Sequence, residues 1–232
     1  MKNQYFGDVN DYRKYGLIRV LTQHGALSSM ICWMLTEDDD RTDGGKLDYL
    51  LKPDTWRCYD EELFDAIREA VVVDDERSVR VAKEKNIIPG ADYYETVLTD
   101  DKIERKAYFA QFLEKAQCKD FSFFDPDNSI EISSIPFGRK NSSKYFYWKE
   151  LERIHEKDIS VLVYQHFPHE KRDAFIARRV TELKDRTAFD EVISFRTPNV
   201  VFFLLASIQH LDVFDAAIHK LVNQWGDKFE VS

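Results

Sequence analysis

The chain predicts an α/β fold: a mostly parallel sheet with helices on both faces, closed by a C-terminal antiparallel hairpin. Three observations predict it. Short segments apolar on both faces, such as 29–35 and 121–124, alternate with amphipathic segments of helical period, which is the order of a helix-covered parallel sheet. Two apolar runs near the end, 191–196 and 200–208, are separated only by Thr197-Pro198-Asn199 and predict a hairpin. The 232 residues are 44% hydrophobic, with only 8 Gly and 6 Pro, which suits one well-buried domain over 1–232 and argues against disorder.

The elements follow in order. Asp8 and Asn10 are capping residues ahead of Tyr12, Tyr15, Ile18 and Leu21 at helical spacing, and Gly25 is placed to close that helix. Segment 29–35 is a buried strand that runs into Thr36-Glu37-Asp38-Asp39-Asp40. A short helix is expected at 45–52, a clearer one after the cap Asp60, and a third over 74–86, with 71–73 open to a short strand. Pro89-Gly90 marks a turn before a strand at 93–98. Segment 100–116 is an amphipathic helix with Ile103, Ala107, Phe109, Phe112 and Leu113 inward. The strand 121–124 then ends in Asp125-Pro126-Asp127-Asn128, and a long loop reaches Ser143. A helix over 144–155, a strand over 159–164, a basic helix over 171–183, the hairpin and a closing helix over 211–225 complete the chain.

Composition narrows the function classes. No apolar run follows Met1 and no stretch has the length of a membrane span, so a cytoplasmic protein without a membrane partner is expected. Cys32, Cys58 and Cys118 are odd in number and without metal-ligand spacing, which fits a reducing compartment. A net charge of −9 argues against an indiscriminate nucleic-acid binder but not against a local basic groove, and Arg139-Lys140, Lys144 and Arg178-Arg179 supply basic residues for one.

In covered parallel sheets, ligands bind beyond the carboxyl ends of the strands. Three strands deliver polar groups there: Glu37 to Asp40, Asp125 to Asn128, and Gln165-His166. Pro126 stiffens its turn, so Asp125 is suited to hold a substrate amine or a metal; a tight turn after a strand accounts for the same residues. The cluster Glu37 to Asp40, with Asp43, suits a hard cation such as Mg²⁺, or is a solvated acidic loop. His166 suits acid–base chemistry or base stacking, or a structural role. Arg13 and Lys14 offer cations to a carboxylate or phosphate, or are exposed charges on a capped helix. The run 142–149 mixes aromatics with cations, as base stacking beside phosphates needs, although aromatics at helical spacing also make core.

These motifs carry a resemblance. Asn10-Asp11-Tyr12-Arg13-Lys14-Tyr15 is similar to the early Asp-x-x-Lys segment of the bacterial large-subunit ribosomal RNA adenine-N6 methyltransferases, and Asp125-Pro126 to the first half of the Asp-Pro-Pro-Tyr signature of amino-methyltransferases. The element order resembles class I, Rossmann-like, S-adenosylmethionine-dependent methyltransferases. The resemblance implies that Asp125 accepts the target amine of a nucleic-acid base, that Asn128 orients the base, and that Lys14 contacts the cofactor, with Glu37 and Asp38 at the cofactor turn. The second Pro and the aromatic of the signature are Asp127 and Asn128 here, and 36–40 stand where a glycine-rich turn is expected. Two further readings use the same residues. One is a Mg²⁺-dependent nuclease or hydrolase with Asp125, Asp127 and Asp38 or Asp40 on the metal and His166 handling a proton. The other is a non-catalytic binding protein.

Overall fold

The computed structural model describes residues 3–36 and 44–232. Its elements in chain order are α1 (Val9–Leu21), β1 (Ser29–Cys32), α2 (Pro53–Trp56), α3 (Glu61–Arg68), α4 (Arg80–Glu84), β2 (Ala91–Tyr94), α5 (Lys102–Ala116), β3 (Phe121–Phe124), β4 (Ser129–Ile130), β5 (Tyr145–Phe146), α6 (Trp148–His155), β6 (Ser160–His166), α7 (Arg172–Arg186), β7 (Glu191–Arg196), β8 (Val200–Ala206), α8 (Leu211–Trp225) and β9 (Glu230–Val231).

Seven strands form the main sheet in the order β2-β1-β3-β6-β8-β7-β9. The first four run parallel, and β8, β7 and β9 pair antiparallel. This is the expected α/β, Rossmann-like architecture with a C-terminal antiparallel hairpin. Every residue of β1, β3 and β8 is buried, because a strand covered on both faces has no polar side to offer. Alternate side chains feed two cores. Ile31, Phe123, Leu162 and Phe202 face Tyr12, Leu63 and Leu221 of α1, α3 and α8. Cys32, Phe124, Val163 and Phe203 face Phe112, Leu151 and Leu183 of α5, α6 and α7.

The hairpin brings an unexpected order. Its second strand, β8, inserts between β6 and β7. The seven apolar residues from Val200 to Ala206 are all buried, whereas β7 mixes buried and half-buried positions, so the fully apolar strand takes the covered place.

Other boundaries differ for local reasons. Helix α1 ends at Leu21 with Thr22 as its cap, and Gly25 instead holds a left-handed φ of 100° in the following turn, against Pro89. Val71 to Val73 form part of a π-helical turn, Glu69–Val73, and not a strand. The helix expected over 74–86 shrinks to α4. The loop after Asn128 contains a small parallel ladder, β4 with β5, so α6 starts at Trp148 and not at Lys144. On α5, Ile103 is 79% exposed, and Arg105 and Tyr108 are buried where Ala107 was expected. Arg105 is neutralised there: its guanidinium grips Glu150 at 2.7 and 2.8 Å and donates to the carbonyls of Ser142 and Tyr145. No helix among the described residues is long and apolar enough to cross a membrane.

Candidate functional site

A cleft of about 760 Å³ opens at the carboxyl ends of β3 and β6, with α1 along one wall and α7 along another. Strand β1 hydrogen-bonds to β2 on one side and β3 on the other, so the cleft lies beside the point where strand order turns back, the usual ligand position in such sheets. Its volume falls in the range of roughly 300–1,000 Å³ typical of small-molecule sites.

The floor is built around Lys14. Helix α1 begins at Asp8, whose carboxylate accepts from the Asn10 and Lys46 backbone N–H groups. That start sets Asp11 and Lys14 one turn apart on the same face. The Lys14 ammonium donates to Asp11 Oδ1 and to Asp125 Oδ2, both at 2.7 Å. Three rings surround it: Tyr164 at 5.3 Å, Trp33 at 5.7 Å and Tyr15 at 5.9 Å. All three charged residues are buried, an arrangement stable only while the charges stay paired. Burial outweighs the attraction of Lys14 at Asp11 and pushes its carboxyl up to about 6. Its two carboxylate neighbours hold Lys14 above the ordinary lysine range despite burial.

Asp125 follows the last residue of β3, and its backbone N–H bonds back to Cys32 of β1. Pro126 is buried beside it, and Asp127 and Asn128 are half-buried. Asp127 Oδ2 accepts from the Thr36 hydroxyl at 2.7 Å, which ties the turn to the segment after β1. The Asn128 main chain is clamped between Lys144 and His166. His166 is the last residue of β6, with its ring edge-on to Tyr164 at 4.9 Å. It is exposed to the cleft, yet the surrounding protein desolvates it and lowers its pKa, so the imidazole is neutral near pH 7. Gln165 is structural: its amide oxygen accepts from Ile130 N–H and holds β4 in place.

Lys14, Asp125, Asp127, Asn128 and His166 therefore line one cleft. Arg13 does not; it packs over Trp56 at 5.4 Å. Glu37, Asp38, Asp39, Asp40 and Asp43 lie outside the described residues. Of the run 142–149, Phe146 and Trp148 are core, while Lys144 and Tyr145 reach the cleft. Sequence reasoning did not single out Tyr164 or Phe175, gave Arg178 and Arg179 only as basic residues for a groove, and gave Asp11 only as part of the Asp-x-x-Lys segment. The i, i+3 spacing of Asp11 and Lys14 was the available signal for one of them.

Among the described residues, no three His, Cys, Asp or Glu side chains converge as a metal site. One other polar grouping has no opening to a ligand. Ser160, His210 and Asp120 form a Ser–His–Asp series at the opposite end of the sheet, with Ser160 Oγ 2.9 Å from His210 Nδ1. Ser160 is wholly buried and already accepts from the Ser207 N–H, so its hydroxyl cannot meet a substrate.

No model of a known protein family matches the chain, and no curated protein matches it significantly.

Proposed function

We propose that the chain is a methyltransferase-like enzyme that transfers a methyl group from S-adenosylmethionine to an amine of a nucleic-acid base. One observation carries the reading: Asp125 closes the strand beside β1 and lines the cleft, held by a lysine from the first helix. A sheet in which one antiparallel strand, β8, sits between β6 and β7 also supports it, as does the resemblance of the Asp11–Lys14 and Asp125-Pro126 motifs.

The donor set suits the cofactor. Asp8, Asp11, Asp125 and Asp127 line the cleft beside Lys14 and Lys46, and carboxylates favour a ligand with a cationic centre. When bound, S-adenosylmethionine supplies an electrophilic methyl group on sulfonium. The chain's own residues do the rest. Asp125 accepts an N–H of the target amine and orients its lone pair. Lys14 holds that carboxylate in place. Asn128 offers a donor and an acceptor to the base edge, and Phe167 and His166 offer flat surfaces at the mouth. The neutral imidazole of His166 is an acceptor for the proton released as the new N–C bond forms. Three unpaired cysteines suit the cytoplasm, where we place the enzyme.

A metal-dependent hydrolase would use the same carboxylates, but the ammonium of Lys14 already lies between Asp11 and Asp125. Thermal melting with S-adenosylmethionine, S-adenosylhomocysteine, Mg²⁺ and Mn²⁺, each alone, separates the readings. A ligand at 100 times its Kd stabilises by about 2.7 kcal/mol. The proposal expects a shift with both adenosyl compounds, retained in Asp125→Asn while methyl transfer is lost. A shift with metal alone would favour the hydrolase, and none at all a binding protein.

A further inference from the structure

The cleft has a second pole. Above its acidic floor, Lys144, Arg178 and Arg179 line the rim, with Arg178 paired to Glu170 and Glu182. Arg179 is 5% exposed, and its guanidinium lies 5.7 Å from the Phe175 ring and 5.8 Å from the Trp148 ring. Its NH1 pairs with Glu182 at 2.9 Å, but its Nε–H is buried without an acceptor among the described residues. A buried donor on a cation is costly to leave unmatched. Burial lowers the Arg179 pKa, and Glu182 opposes the shift. Lys144 is half-buried, and its ammonium makes no ion pair or hydrogen bond with the described residues. Its backbone is nevertheless fixed. Asn128 N–H donates to the Lys144 carbonyl, and fully buried Arg105 holds the carbonyls of Ser142 and Tyr145 on either side.

A lysine unpaired among the described residues, on a fixed backbone, and a guanidinium stacked beside it at the rim suit one kind of ligand group, a tetrahedral oxyanion. The floor repels such a group, so it would sit at the rim while the uncharged or cationic part of the same ligand reaches Asp125. We propose that Lys144 and Arg179, with Arg178 at the edge, form a phosphate-binding subsite. The ligand of the cleft then carries its reactive amine and its phosphate at opposite poles, as a nucleotide unit does. This rests on the reading of the cleft as a nucleic-acid site and names the group that anchors the ligand there. The phosphate belongs either to a free nucleotide or to a strand.

The test is binding without any adenosyl compound, so its result is independent of methyl transfer. Fluorescence anisotropy would follow a labelled single-stranded oligonucleotide across a salt series, with a mononucleotide and inorganic phosphate as competitors. Lys144→Gln and Arg179→Lys are compared with Arg57→Gln, which removes an exposed cation paired with Asp65 outside the cleft. Arg179→Lys keeps the charge and removes the planar fork, and circular dichroism checks that it folds. The subsite predicts about tenfold weaker binding in Lys144→Gln and Arg179→Lys. It also predicts a salt slope smaller by about 0.7 in Lys144→Gln, and no change in Arg57→Gln. Competition by mononucleotide as strong as by the strand assigns the phosphate to a free nucleotide, and competition by the strand alone assigns it to a phosphodiester. Equal effects in Lys144→Gln and Arg57→Gln, or no binding of any of the three phosphates by the native protein, would overturn the proposal. An adenosyl-dependent melting shift without phosphate binding would sink this subsite and leave the methyltransferase reading standing; the reverse pattern would do the opposite.

Discussion

The ammonium of Lys14 lies 2.7 Å from Asp125 Oδ2, a contact that spans 111 positions of sequence. With the equal contact to Asp11 it fastens the first helix to the carboxyl end of β3. Lys14→Met leaves two buried carboxylates without their cation and is expected to cost about 3–5 kcal/mol. Urea unfolding at pH 7 measures this. Adding Asp125→Asn removes one stranded charge, so the double variant should regain part of the loss; no recovery would show that the pair is not coupled.

Asp11 gives the floor a pH dependence. Its folded pKa of about 6 lies above the unfolded value of 3.8, so the folded state binds the extra proton between them. Stability from this group is fully present below about pH 3.8 and is lost as pH rises through about 6. Asp11→Asn removes that fall. The melting temperature of the variant relative to the native protein should therefore climb from pH 4 to pH 6 and level off above. A flat difference would mean that Asp11 ionises in the fold as it does in the unfolded chain.

His166 should titrate below the 6.5 of a free imidazole, because burial disfavours its charged form. Asp125 partly opposes the shift. NMR of the ring protons is expected to show a low midpoint in the native protein and a still lower one in Asp125→Asn. A midpoint that rises in the variant contradicts the proximity of the two groups.

Arg105→Met tests the support beneath Lys144. It strands the buried Glu150 and two carbonyls, and about 3–5 kcal/mol of stability should go. Replacing Glu150 by Gln in the same chain should restore only part, since the carbonyls of Ser142 and Tyr145 stay unmatched. Complete restoration would mean that the charge pair alone mattered.

Gly16 sets the approach of α1 to α8. A Cβ there would stand 2.4 Å from the Trp225 ring. Alanine gains about 1 kcal/mol of helix propensity, yet overpacking costs typically about 1–3 kcal/mol, so Gly16→Ala should lower the urea midpoint. Trp225→Phe in the same chain should bring it back. An unchanged midpoint in the single variant means that the indole has room to move.

Much of the fold was legible because its signals are local. Runs apolar on both faces located β1, β3 and β8, and Asp8 and Asp60 cap α1 and α3 as their side chains suggest. The site was legible in part for the same reason, since Asp125, Asp127, Asn128 and His166 all stand at strand ends. What escaped depends on partners far along the chain. A charged residue on α5 looks solvated until Glu150, 45 positions later, is folded against it. The arginines of α7 likewise look like a solvent face, and only the fold turns Arg179 between Phe175 and Trp148. Strand order was invisible because a hairpin of given sequence can present either of its strands to β6.

That placement of β8 bears on how the protein is made. While the ribosome has delivered β6 and β7 but not β8, the edge of β6 carries Val161, Leu162 and Val163 with no neighbour to cover their backbone. An open apolar edge invites pairing with another chain. Nascent or truncated chains that stop before Val200 should therefore be sticky and short-lived, and the arrival of β8 on the edge of β6 is the step that makes the sheet safe.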